Sequence, residues 1–157
     1  MTTTMTPTLT AAPTHSPSVT TSVWRVGALA GLSASVAVTA VALAAKVVDI
    51  PMMAAPKSAD VGQDIPLYGY AMGTLLSTAI GTVLAVVLAW KAKRPVPIFV
   101  VITTVLTLVS FAGLVTTGHA TTATRVVLAL THVVAAAIVI PALARSLAPR
   151  SSDNARR

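Results

Sequence analysis

The sequence predicts an all-α integral membrane protein, a bundle of four transmembrane helices with both termini on the cytoplasmic side. Three observations carry that reading. Apolar residues make up 55% of the 157 and charged residues only 10%, with a mean hydropathy of +0.83. A water-facing domain usually has about a quarter of its residues charged. The apolar residues fall into four runs, at 26–48, 67–90, 97–117 and 126–145. Each is near the roughly 20 residues that cross a hydrocarbon core at about 1.5 Å per residue. The basic residues, finally, gather at the ends of those runs.

Residues 1–22, "MTTTMTPTLTAAPTHSPSVTTS", precede the first run. They are Thr, Ser and Pro without apolar periodicity, a composition that buries too little surface to offset its ordering entropy and is expected to be disordered. In the first run, "ALAAK" (42–46) offers a small-x-small cleavage pattern. The run is longer than a signal core, however, and Arg25 is the only basic residue before it, so it is retained as a helix. The β-branched residues of the other three runs do not argue for strands. In lipid the backbone must satisfy its own hydrogen bonds, and a helix does so within one segment. Residues 23–147 thus form the four-helix domain, and 148–157 a basic cytoplasmic tail.

Orientation follows from Lys and Arg. The link "KAKRP" (91–95) carries Lys91, Lys93 and Arg94; the tail carries Arg145, Arg150, Arg156 and Arg157; Arg25 precedes the first helix. Only Lys46, Lys57 and Arg125 fall on the opposite side, where the 49–66 loop also holds Asp49, Asp60 and Asp64. The link and both termini are therefore assigned to the cytoplasm of a bacterial cell and the protein to its plasma membrane. Trp24 and Trp90 then stand at the inner boundary and Tyr68 and Tyr70 at the outer one, as interfacial belts require. In the outer loop "VVDIPMM" (47–53) and "GQDIPLY" (62–68) share Asp-Ile-Pro, which is read as boundary chemistry where one span ends and the next begins.

Two rows of small residues bear on packing. The first helix carries Gly27, Gly31 and Ser35, and the second Gly69, Gly73, Ser77 and Gly81. Small residues four apart form a smooth ridge along which backbones approach closely. Packing of helix one on helix two is the first expectation. The longer ridge of helix two is also a candidate contact for a homo-oligomer or a membrane-protein partner. A leucine at Gly73 is accordingly expected to overpack the bundle.

The composition excludes several chemistries. With no Cys, disulfides, thiolate catalysis and Cys-ligated metal centres are ruled out. No carboxylate lies between the predicted helix boundaries to exchange protons with a cationic substrate. His119 in a loop and His132 in the fourth run are poorly placed for a haem between them. No nucleophile–base set, phosphate-cradling loop or zinc triad can be assembled. Neither catalysis, cofactor, metal nor nucleic acid is expected; the partner is the bilayer.

The polar groups inside the runs are few. Thr103, Thr107, Ser110 and Thr117 form a stripe on the third helix. Such hydroxyls commonly donate to the carbonyl four residues earlier, or face polar groups on a neighbouring helix. "LALTHVVAAAIVIPALARSL" (128–147) places His132 and Pro141 in the fourth. If helices three and four form a hairpin about residues 118–124, Ser110 lies level with His132, roughly 10 Å inside the outer boundary at about 1.5 Å per residue. An intramembrane His normally faces the protein interior with a partner, which makes Ser110 and His132 the candidate polar pair. Pro141 removes the backbone bond to Ala137 and is expected to kink the helix. Three roles are weighed for this chain. The first is a structural or interaction subunit packing through its ridges; the second is a small oligomeric transport or permeation unit using Ser110 and His132; a redox or quinone-binding protein ranks last.

"AKVVDI" (45–50), "YAMGTLLSTAIGTVLAVVLAW" (70–90) with the basic link, "LVSFAGL" (108–114) and "LTHVVAAAIVIPALA" (130–144) together resemble a known group. It is an uncharacterised set of small four-helix actinobacterial membrane proteins, classed as a domain of unknown function. The resemblance covers about residues 24–147 and is most specific around Ser110 and from His132 to Pro141. Its pattern often has a Pro shortly after the Ser, where this chain has Gly113 and Leu114. It implies fold and location and adds no reaction.

Overall fold

The computed structural model describes residues 19–54, 61–116, 118 and 120–148. They form four helices, α1 (Val19–Val47), α2 (Leu67–Lys91), α3 (Pro95–Thr116) and α4 (Thr122–Leu147). All four are long and apolar enough to cross a membrane, so the chain is a multi-pass, all-α bundle. Most of the head expected to be disordered and most of the basic tail lie outside the described residues, as do Lys57, Asp60 and His119.

The boundaries differ from expectation where the residue chemistry was local. α1 starts at Val19, inside the Thr-rich segment read as a tail. α3 begins at Pro95, a first-turn position where the missing N–H costs nothing and φ is already helical. α4 begins near Thr121, whose hydroxyl accepts from the Thr124 N–H at 3.1 Å, an N-cap that extends the helix beyond its apolar run. The Thr124 hydroxyl donates to Pro51 O at 2.6 Å, tying this first turn to the loop after α1. α1 ends with Asp49 at φ 57. Ile50 N–H bonds to Ala45 O at 3.0 Å and Asp49 N–H to Lys46 O at 3.1 Å. That pair closes the last turn around a left-handed residue, the position glycine usually takes.

The loop between α1 and α2 holds a minimal antiparallel pair, β1 (Met53–Ala54) and β2 (Gln63–Asp64), with Met53 opposite Asp64. The two Asp-Ile-Pro segments flank this pair, one leaving α1 and one entering α2, which agrees with their reading as boundary chemistry. Lys46, in the last turn of α1, pairs with Asp64 at 2.8 Å.

α1 is the middle of the bundle, packed along both α2 and α4, while α3 packs mainly on α4 and less on α2. The share of each apolar window buried inside the bundle follows, 39% for α1 against 6% for α3. Two apolar clusters sit at opposite ends. Val23, Ala85, Val86, Phe99, Leu143 and Leu147 gather at the end with the basic link. Val38, Ala42, Ala45, Met52, Tyr70 and Val127 gather at the loop end. In lipid such clusters are held by dispersion contact more than by removal from water. Trp24 and Trp90 belong to the link end, where Trp90 Nε1 donates to Thr20 Oγ1 at 3.2 Å.

The seam between α1 and α2 shows what the first small-residue row is for. A Cβ at Gly27 would run into the Thr82 side chain, and one at Gly31 would lie 3.2 Å from Thr78 Cγ2. Ser35 Oγ donates to Ala71 O at 3.3 Å. Gly27, Gly31 and Ser35 therefore do pack on α2, but the two glycines receive its threonines and not its glycines. The close approach is built from a bare backbone on one helix and a branched side chain on the other.

Candidate functional site

The second row has a different neighbour. One residue before each of Tyr70, Thr74, Thr78 and Thr82, and so about 100° round the helix, stand Gly69, Gly73, Ser77 and Gly81. These four line a half-open cavity of about 520 Å³ between α2, α3 and α4, where α2 meets the other two helices only over short stretches. A Cβ on Gly73 would meet nothing within 4 Å, and one on Gly81 only Leu143 Cδ1 at 4.0 Å. The expectation that this row packs on helix one is thus corrected. A helix has room for one seam against α1, and the threonine face of α2 occupies it.

The hydroxyl stripe of α3 forms the opposite wall, with Thr103, Thr107 and Ser110 all on the cavity. Both behaviours expected of such a stripe occur together, because the side chains face inward while their hydrogens go back to their own helix. Thr103 donates to Phe99 O and Thr107 to Thr103 O, each at 2.8 Å. Ser110 donates to Leu106 O at 2.9 Å. On α2, Thr74 donates to Tyr70 O and Thr78 to Thr74 O, both at 2.8 Å. On α4, Thr131 donates to Leu128 O at 2.7 Å. The side chain of Thr117 lies outside the described residues.

His132 also lines the cavity and is half-buried. Its Nδ1 is 2.8 Å from Leu128 O. A carbonyl only accepts, so Nδ1 carries the proton, and in the neutral ring Nε2 is left as an acceptor. The hairpin register is as expected, since the rings of Phe111 and His132 are 6.1 Å apart between centroids. Ser110 and His132 are therefore brought to one cavity, each with its donor spent on its own helix and none on the other. A carbonyl one turn back is available to each without any interhelical fitting, which accounts for that choice. Pro141 sits within α4, which continues through it to Leu147. It borders a separate groove with Val96, Val100 and Arg145, while its neighbour Ile140 lines both spaces.

Among the described residues no charged side chain lines the cavity. At its loop end stands Tyr70, buried at 8% exposure, whose hydroxyl is sealed from solvent without a hydrogen-bond partner. Among the described residues no three His, Asp or Glu side chains gather as metal ligands. The sequence reading missed Thr74, Thr78 and Thr131. The first two stand in a row of hydroxyls at intervals of four, visible in the sequence beside the glycines. Thr131 carries no such signal; it is one more threonine until α4 is docked.

The comparisons with known proteins match the chain to a family of unknown function, DUF6069, over residues 18–149. The chain belongs to that family. No curated protein and no solved structure shows a match.

Proposed function

We propose that this member of the family is a non-catalytic binding subunit of the bacterial plasma membrane that holds a lipophilic small molecule between α2, α3 and α4. Both termini are cytoplasmic in this reading. The interaction role of the small residues is then divided between two rows. That of α1 joins the bundle, and that of α2 clears a space beside it. The observation that carries the proposal is the cavity itself. Its volume of about 520 Å³ falls in the range of roughly 300–1,000 Å³ typical of small-molecule sites. Its wall has the usual form of such sites, mostly apolar with a few converging polar groups. Native mass spectrometry of the protein released from mild detergent tests this. A bound small molecule that Gly73→Leu displaces supports the reading; an empty monomer under all lipid conditions contradicts it.

A second reading places a neighbouring helix, from another copy or a membrane partner, against the same face, and the exposure of Gly73 and Ser77 favours it. The same spectra separate the two, because a dimer lost in Gly73→Leu would replace the ligand adduct. Transport through the Ser110 and His132 cavity would appear as solute flux in liposomes. For orientation, Cys at Ala92 should resist an impermeant thiol reagent in intact cells and Cys at Thr121 should react. The native chain contributes no Cys background.

A further inference from the structure

We infer that the cavity between α2, α3 and α4 selects an uncharged lipophilic molecule whose polar end donates a hydrogen bond, an alcohol or a phenol. The inference rests on the small-molecule reading above and adds the chemistry of the occupant. Six hydroxyls of the wall, on Thr74, Thr78, Thr103, Thr107, Ser110 and Thr131, each give their only hydrogen to a backbone carbonyl of their own helix. His132 gives its Nδ1 hydrogen to Leu128 O. What these seven side chains still offer is lone pairs, on six oxygens and on His132 Nε2. The imidazole nitrogen is the most basic of them and the best acceptor. A carbonyl or ether head group, which only accepts, finds no donor among these seven.

Two groups in the wall retain a hydrogen. Ser77 lies on the exposed row of α2, and Tyr70 holds its unpartnered phenol at the loop end. They do not reverse the balance. They favour a hydroxyl over other donors, because a hydroxyl can give its hydrogen to His132 and accept one from the wall. Charge decides the remaining choice. An ammonium would also donate, but among the described residues no acidic or other charged side chain lines the cavity, and an unpaired ion in a low-dielectric site carries a heavy desolvation cost. The occupant is therefore neutral.

Paired probes test this in the intact protein in nanodiscs. The probes are para-nonylphenol and its methyl ether, which differ only by the methyl that replaces the donated hydrogen, with dodecylammonium as the charged donor. Binding is read by competition or by the shift of the thermal midpoint. The phenol should bind about fivefold or more tighter than the ether, the ratio set by one net hydrogen bond. In His132→Phe that preference should fall toward unity while the ether's own affinity is kept. Thr107→Val, whose lost hydroxyl served only its own helix, should keep the fold and lower the phenol's advantage less. Equal affinity for phenol and ether overturns the donor rule and leaves the binding reading standing. Tighter binding of dodecylammonium than of the phenol overturns neutrality. Binding of no probe, with the wild type and Gly73→Leu alike, overturns both readings.

Discussion

The two faces of α2 lie about 100° apart, one of branched hydroxyl residues and one of glycine and serine, and they do opposite work. One carries Thr78 and Thr82, which fill the space above Gly31 and Gly27 of α1. The other carries Gly73 and Ser77, which face open space between α2 and α3. A row of small residues therefore does not of itself mark a contact. It permits close approach, and whether anything approaches depends on what the neighbouring helix presents. On α1 the glycines meet branched side chains and become a seam. On α2 they meet a stripe of hydroxyls held away from them and become a wall.

The largest effect should come from breaking the seam. Gly27→Leu forces a side chain into Thr82 and should lower stability in detergent by about 3 kcal/mol, in the upper range of overpacking costs. Gly27→Ala, adding only the Cβ that already collides, should show part of the same loss. Thermal unfolding with circular dichroism reads both.

Smaller effects sharpen the contrast by probing the loop end, where single hydrogen bonds hold elements together. Thr124→Val removes the bond to Pro51 O and leaves that carbonyl without its partner, at about 1–2 kcal/mol. Thr121→Ala removes the N-cap of α4 at about 1 kcal/mol, with the loss confined to the first turn in hydrogen exchange. Asp49→Gly should go the other way. It relieves a left-handed residue at φ 57, a gain of up to about 1 kcal/mol that a raised unfolding midpoint would register.

Hydropathy made the four spans legible in the sequence because lipid leaves the backbone no alternative to a helix. The loop edges were legible too, since a polar residue and a Pro suit the place where a span ends or begins. The start of α1 was not. Val19, Thr20 and Thr21 look like their Thr-rich surroundings, yet Thr20 accepts from the Trp90 indole at the far end of α2. The depth of Ser110 against His132 followed from counting along a hairpin, and both reached the same cavity. Their lack of a mutual bond could not be counted, because each was free to choose a carbonyl on its own helix. The same limit hid the direction of the α2 ridge. Spacing in sequence fixes which residues share a face and leaves open which neighbour that face meets.

The most direct test of the claim that α2 has one seam and one cavity is the unfolding midpoint of Gly73→Leu set beside Gly27→Leu. A Cβ at Gly73 has nothing within 4 Å, so this leucine should change stability by less than about 0.5 kcal/mol, as at a surface site, while abolishing ligand binding. If Gly73→Leu instead destabilises the protein as much as Gly27→Leu does, the face is packed and the account is wrong.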